Sequence, residues 1–416
     1  MDLHPVLLAG GQASGLYPLN EAYPKALLPV GNKPLLYYPL RLLEKNNFKE
    51  VTVIVNSRDL KSIKQSLDEY PRLASSDIEF NTFEVHDSDE TGSAVALSAL
   101  KASGRIKSDL LVLSCDVLST VSLIQLWEKH VTLRSAVSLL LVKPLPSNNS
   151  DERQKTSTPA FGGAGEKDLI GLTESGQVVF HSSLADVDDE LKLSKKMLQR
   201  TPHFKMHSNL LDSHVYIVSR WVLDYMQEHL KNALSFKREV LPHLLKNQDS
   251  KILLQFSERF HDDIDKLASQ YSSSPVPSPT QCHAHTISGA ELCTRVNTVS
   301  LYMEANRMIG QHSSSFMLDS GTSGQGIKSS AISGDSVVDE STQLSDKVSV
   351  KRSMIGRHCV IGEKVKVINS VIMDHVVIGE SCTIQNSILC NQVRLEEKAT
   401  LKDCTVGPRV TINSKE

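Results

Sequence analysis

Nowhere among these 416 residues does an apolar run reach the length of about 18 that a membrane-crossing helix needs, so no transmembrane helix is expected. Charge of one sign is equally scarce. Lys and Arg number 45 against 48 Asp and Glu, and the formal net charge of −3 offers nucleic acid or a charged membrane surface no electrostatic attraction. The opening residues carry neither the basic start nor the small-residue cleavage site of a secretory leader. The 7 cysteines include no CxxC pair, which fits reduced, buried thiols in the cytosol or nucleus rather than a disulfide framework or a zinc site. What remains is ordinary for a soluble globular protein, 40% hydrophobic and 22% charged, with a length that predicts two or three domains.

Two patterns stand out. Residues 1–147 alternate short apolar strands (Pro5–Leu8, Val51–Val55, Asp109–Ser114, Ala136–Val142) with amphipathic helices (Leu35–Lys45, Leu60–Glu69). Strands apolar on both faces predict a parallel sheet covered by helices. Gly10 and Gly11 follow the first strand, where such sheets present backbone N–H groups to phosphates, although the same pair also makes a tight turn with no ligand. Residues 209–247 read as a strand and amphipathic helices closing this domain. Polar, Gly- and Ser-rich stretches at 147–167, 271–279 and 310–333 read as flexible.

The second pattern is periodic. From Val338 an aliphatic residue recurs at steps of six, six and five through Ile355, Ile361, Val367 and on to Ile412, and Asn369, Asn386 and Asp403 keep the combined repeat of 17. Gly356, Gly362, Gly379 and Gly407 follow apolar positions, where a corner needs a small or conformationally free residue. This predicts a left-handed parallel β-helix of triangular coils, each burying its aliphatic residues against the next. His358 and His375 share the repeat and should stack on one edge. No loop insertion accompanies them, so a solvated or interfacial pair is favoured over a catalytic one.

VLLAGGQASGLYPLNEAYPKALLPV, residues 6–30, resembles the opening of sugar-1-phosphate nucleotidyltransferases, LAGG-x-GTRL-x-PLT…PKP. Laid over that pattern, the chain has Ala13 for a glycine, Gly15 for the arginine, Asn20 for the threonine and Ala26 after Pro24–Lys25. Nucleotidyl transfer builds negative charge, and removing one positioned electrostatic contact costs on the order of 100–1000-fold in rate. The resemblance implies a vestigial nucleotide pocket at Gly10, Gly11, Lys25, Gly92 and Asp116. Gly92 lies in a Thr91–Gly92–Ser93–Ala94 segment like the family's G-[TS]-A, and Asp116 follows a strand where the family keeps a metal-holding aspartate. Each also has a plain structural reading, as a turn residue or a capping carboxylate. Glu166–Lys167 precedes Asp168 and matches the family's E-K-P motif poorly. No residue clearly takes the second metal position, so no catalytic residue, metal or cofactor is expected.

The most specific match is LCTRVNTVSLYMEANRM, residues 292–308, with LLPVGNKPLLYYPL, VLSCDV and DSHVYIVSRWVLDYM in support. These segments resemble the gamma-subunit family of the guanine-nucleotide exchange factor for translation initiation factor two. The resemblance implies an α/β, Rossmann-like nucleotidyltransferase-type domain (1–247), a linker and connecting segment (248–333) and a left-handed parallel β-helix (334–416). It implies a non-catalytic, cytosolic subunit that pairs with the epsilon subunit, binds initiation factor two and promotes GDP/GTP exchange. The alternative is an active sugar-1-phosphate nucleotidyltransferase such as a mannose-1-phosphate guanylyltransferase. The pocket is left either empty or holding a nucleotide or sugar nucleotide.

Overall fold

The computed structural model describes residues 1–11, 13–74, 76–86, 92–143, 167–186, 191, 193–259, 278–287, 291–312, 316 and 332–414. Thr91, nearly all of the 147–167 stretch and most of 271–279 and 310–333 lie outside the described residues. By contact between residues the chain divides into two compact units, Met1–Gly11 with Leu42–Thr294, and Gln12–Arg41 with Arg295–Glu416.

The first unit is built on β1 (Leu3–Leu8), β2 (Glu50–Asn56), β3 (Glu79–Val85), β4 (Asp109–Ser114), β5 (Val137–Val142), β6 (Asp168–Leu172), β7 (Val178–Ser183), β8 (Lys205–His207), β9 (Leu211–Val218) and β10 (Cys282–Ile287). Seven of these form one sheet in the order β10-β5-β9-β4-β1-β2-β3. Only β9 runs antiparallel to its neighbours. The chain moves from β1 outward to β2 and β3, then returns to place β4 on the other side of β1. That reversal opens a crevice at the carboxyl ends of β1 and β4, the usual ligand position in such sheets. All six residues of β5 are buried, as expected of a strand covered on both faces. Val6, Val112, Leu139 and Tyr216 of the sheet pack with Leu97 of helix α1 (Ser93–Ala102) and Val222 of helix α2 (Arg220–His229). Three remaining strands make a small antiparallel sheet, β7-β6-β8. The connecting segment contributes more than a connection. Its Lys251–Glu258 helix sends Leu253 and Phe256 into this core, and β10 extends the main sheet beside β5.

In the second unit, residues 337–412 wind through three parallel sheets of five, five and four short strands. Successive coils pair in register, Val338 with Ile355 and Ile355 with Ile372 on one sheet, Ile361 with Ile378 on the next, Val367 with Ile384 on the third. The inward aliphatic residues form one core, and burying each stabilises the stack by about 1.5–3 kcal/mol. The glycines work differently from one half of the expectation. None of Gly356, Gly362, Gly379 and Gly407 has positive φ. At Gly379 an added Cβ would stand 2.7 Å from Glu397 N, and at Gly362 2.9 Å from Glu380 N, so smallness lets the next coil close down. The left-handed corners fall instead on Lys347, Arg352, His358 and their counterparts 17 residues on, with φ between 47° and 61°. From Lys364 onward their conformation turns the corner N–H onto the coil before, as in His375 N to Arg357 O at 2.8 Å and Ser381 N to Glu363 O at 2.8 Å. His358 and His375 do stack, with ring centroids 5.1 Å apart and planes 22° from parallel. Of the four cysteines here, Cys359, Cys382 and Cys390 are buried and Cys404 is exposed.

The same unit contains the 13–41 segment and a helix, α3 (Val299–Gln311). Thr298 caps that helix by accepting from Leu301 N. Tyr302, wholly buried, donates its hydroxyl to Pro29 O at 2.6 Å, and Asn306 Oδ1 accepts from Gly31 N at 3.0 Å. The LYMEANR segment is therefore a clamp on the LLPVGNKP turn, which accounts for the presence of both.

Candidate functional site

In the first unit, Gly10 and Gly11 leave the end of β1 at the crevice. Gly11 has φ of +125°, which a side chain would strain, and a Cβ on Gly10 would lie 2.5 Å from Asn56 Oδ1 at the end of β2. Gly11 is thus required by backbone path whatever the loop binds, whereas a side chain at Gly10 would have to push the Asn56 amide aside. Asp116 lies two residues beyond the end of β4 and is wholly buried. Among the described residues no group of three or more His, Cys, Asp or Glu side chains is placed to hold a metal ion.

Gly92 caps α1 with extended backbone. A side chain there would collide with the carbonyl of Leu234. That carbonyl accepts from Ala94 N at 2.9 Å, and Ser93 Oγ accepts from Phe236 N at 2.9 Å. The segment before the helical turn Phe236–Val240 therefore takes a free amide of the first turn of α1, a group that in an open site would face a ligand. The small residue at 92 has a packing cause.

Lys25 belongs to the second unit, opening a short 3-10 turn through Leu27. In that unit Ala13 adopts φ 52°, ψ 36°, the left-handed conformation natural to the glycine it stands for. A Cβ on Gly15 would come within 2.5 Å of Asn297 O. The position that carries arginine in the nucleotidyltransferase pattern thus has backbone against it, and no side chain fits without moving residue 297.

A polar cluster that the sequence did not reveal lies where β6, β7 and β9 meet the Phe236–Val240 turn, and it includes Asp168 from the poor E-K-P match. Lys237 Nζ pairs with Asp168 Oδ2 at 2.9 Å, the two side chains 15% and 3% exposed. The same oxygen accepts from Asp212 N at 3.3 Å. Asp212, itself buried, accepts from Tyr216 Oη at 2.6 Å and from His214 N at 2.8 Å, with His181 Nε2 3.6 Å away. Burial works against ionising Asp212, but His181, Lys237 and His214 together outweigh it and hold the carboxyl well below the usual carboxylate range. The cluster is a closed set of fixed charges. Its one ammonium is engaged by Asp168, leaving it as a structural counter-charge rather than a general acid or nucleophile. The partners sit 69 positions apart, so no local motif could have announced them.

Residues 4–152 match the Nucleotidyl transferase family model, and residues 323–416 match the EIF2B subunit epsilon LbH domain, the left-handed β-helix. The chain is 29% identical to translation initiation factor eIF2B subunit gamma of Dictyostelium discoideum, across 86% of this chain and 88% of that protein. It is 27% identical to the subunit of the same name from Caenorhabditis elegans, across 85% and 80%. Over most of its length this chain is similar to the eIF2B gamma subunits. The likeness to sugar nucleotidyltransferases is short. Glucose-1-phosphate thymidylyltransferase of Neisseria meningitidis is 40% identical, but over 15% of this chain and 22% of that enzyme. The α/β nucleotidyltransferase-type domain and the left-handed β-helix expected from sequence are both present, in that order.

Proposed function

We propose that this chain is a non-catalytic, cytosolic subunit of the translation-initiation guanine-nucleotide exchange factor. In this reading it pairs with an epsilon-type subunit, engages initiation factor two and promotes GDP/GTP exchange carried out by that partner. The observation that carries the reading is the match to eIF2B gamma subunits across 86% and 85% of this chain. Its contribution is binding energy. A complex that holds the nucleotide-free form of factor two more tightly must weaken GDP affinity by the same factor.

Gly10, Gly11, Gly92 and Asp116 of the first unit are, on this proposal, the remnant of a nucleotide pocket, and Lys25 of the second unit keeps the lysine of the opening motif. The proposal is supported by packing causes for three glycines. Gly10 faces Asn56, Gly92 faces Leu234 and Gly15 faces Asn297. The alternative, an active sugar-1-phosphate nucleotidyltransferase, is favoured by the Nucleotidyl transferase match at residues 4–152 and by short likenesses such as the 62 residues shared with the thymidylyltransferase.

Co-expression with an epsilon-type subunit, followed by GDP release from initiation factor two with and without this chain, tests the proposal. Co-purification with faster release is expected. A chain that ignores the partner and exchanges pyrophosphate into GTP with a sugar 1-phosphate overturns it. The Ala13→Gly, Gly15→Arg double variant should gain no such turnover, because the new arginine has to displace residue 297 and the remaining substrate groups are missing.

A further inference from the structure

The two edges of the seven-stranded sheet in the first unit are finished differently. At β10 the outer edge is taken up by the chain itself. Ala284 N donates to Gly176 O at 2.8 Å, Lys129 Nζ donates to Ala284 O at 2.6 Å, and Gln177 bridges His283. At the opposite edge β3 pairs with β2 alone. All 7 residues of β3 are in register, Glu79 with Glu50 through to Val85 with Asn56, and no bulge interrupts them.

One bond fixes which way each residue of that edge points. Glu79 N donates to Lys49 O at 2.8 Å. In a parallel strand the N–H and C=O of one residue share a side, and the side alternates along the chain. Glu79, Asn81, Phe83 and Val85 therefore bond inward to β2, while Phe80, Thr82 and Glu84 turn theirs outward. Among the described residues these three outward N–H and C=O groups have no hydrogen-bond partner. The strand also lacks the lysine, the proline and the bulge that usually guard such an edge. Its own unit holds it firmly from both faces. Phe80 meets Tyr70 of the helix Leu60–Ala74 edge-on, with centroids 5.6 Å apart, and Arg105 stands 5.7 Å over the Phe83 ring. The edge is thus rigid and open, ready to take another strand.

We propose that it pairs with the same edge of a second copy of this chain, antiparallel, about a two-fold axis at Thr82. That register sets Thr82 against Thr82 and Phe80 against Glu84, so every outward N–H finds an outward C=O. A slip of one residue would set outward groups against residues already bonded to β2. No like charges stand opposite one another, because Glu84 faces Phe80, Glu79 faces Val85 and Asn81 faces Phe83. On the Phe83 side the copy brings Glu79 towards the exposed Arg105, a pairing of opposite charge. The contact is isologous and closes on itself, so it makes dimers rather than chains of molecules. It does not rest on the exchange-factor reading.

Sedimentation equilibrium of the full chain tests it. A strand pair is smaller than a standard protein interface, so a dissociation constant on the order of 10–100 µM is expected. Thr82→Pro removes an outward donor at the axis and no bond to β2, and should weaken the dimer about 10-fold or more. Thr82→Lys and Thr82→Glu each set like charges together at the axis, so each alone should be monomeric while keeping the native thermal transition. An equimolar mixture of those two should dimerise again, an outcome that requires residue 82 to meet itself across the contact. A native chain that stays monomeric up to about 500 µM, a dimer indifferent to Thr82→Lys, or a mixture that fails to pair would each overturn the proposal. The two charged variants decide the matter if Thr82→Pro does not fold.

Discussion

The sheet of the first unit and the β-helix of the second solve one problem, covering apolar strands, by opposite means. In the β-helix each strand pairs with a strand 17 residues away, so the partner of every residue follows from its position in the repeat. In the sheet, β1 lies between β2 and β4, and β4 pairs with β9 from about a hundred residues further along. A repeat stabilises itself coil by coil, whereas a crossover sheet depends on distant segments arriving together. Polar chemistry is distributed to match. The β-helix stacks like upon like at its corners, Asn369 Nδ2 to Asn386 Oδ1 at 2.8 Å and Asn386 Nδ2 to Asp403 Oδ1 at 3.0 Å. The first unit instead gathers unlike charges from distant segments, most deeply around Asp168, Lys237 and Asp212.

The contrast breaks most sharply at that cluster. Lys237→Met removes one partner of a buried pair and should destabilise the first unit by about 3–5 kcal/mol. It also removes a charge that keeps Asp212 ionised. The sign is that of a carboxyl depressed by folding. Its contribution is fully present above the unfolded value near 3.9 and is lost as pH falls through the lower folded value. Raising that folded value shrinks the contribution, so acid unfolding of the variant should begin at higher pH. Urea titrations between about pH 3 and pH 7 read both effects. A loss under about 1 kcal/mol with an unmoved acid limb would mean that the cluster is solvated and ordinary.

The β-helix should respond by position instead. Leu389 is wholly buried in a coil with neighbours on both sides, while Ile412 is half-buried in the last described coil. Leu389→Ala should cost about 2–5 kcal/mol, with Ile412→Ala near 1 kcal/mol or less. Hydrogen exchange that is graded from the centre of the stack outward is the matching observation. Equal costs at the two positions would contradict the coil-by-coil account.

How much could be read beforehand follows from the same difference. The aliphatic positions from Val338 to Ile412 and the His358–His375 stack were legible, because a period makes distant contacts local in sequence. One further feature of that repeat is periodic in the sequence as well. Ser336, Ser353, Ser370 and Ser387 form a buried ladder in which each hydroxyl accepts from a backbone N–H in the coil after it. The left-handed corners have no such signature, since Lys, Arg, His, Ser, Asn, Gln and Asp all occupy them. The sheet's strands were visible as apolar runs, and its glycine loop as a motif. The reasons for the glycines were not, because Asn56, Leu234 and Asn297 approach them from far along the chain. Asp168 stands beside Glu166–Lys167 in the sequence, but what makes it notable is Lys237 and Asp212, which reach it from far along the chain.

The smallest expected effect bears on how far the opening motif has drifted from its pattern. Ala13 carries a side chain in left-handed backbone, at φ 52° and ψ 36°, which costs an alanine roughly 1 kcal/mol relative to the conformations it prefers. Its carbonyl accepts from Leu16 N at 2.9 Å and from Asn20 Nδ2 at 3.3 Å, and these bonds hold the turn in that conformation. Restoring glycine relieves the strain but frees the unfolded chain, so the two contributions oppose one another. Ala13→Gly should therefore stabilise by no more than about 0.5–1 kcal/mol, read as a rise of a few degrees or less in the thermal midpoint. A loss of more than about 1 kcal/mol would show that the methyl of Ala13 contributes packing that outweighs its strain, and that the replacement improved the loop rather than eroding it.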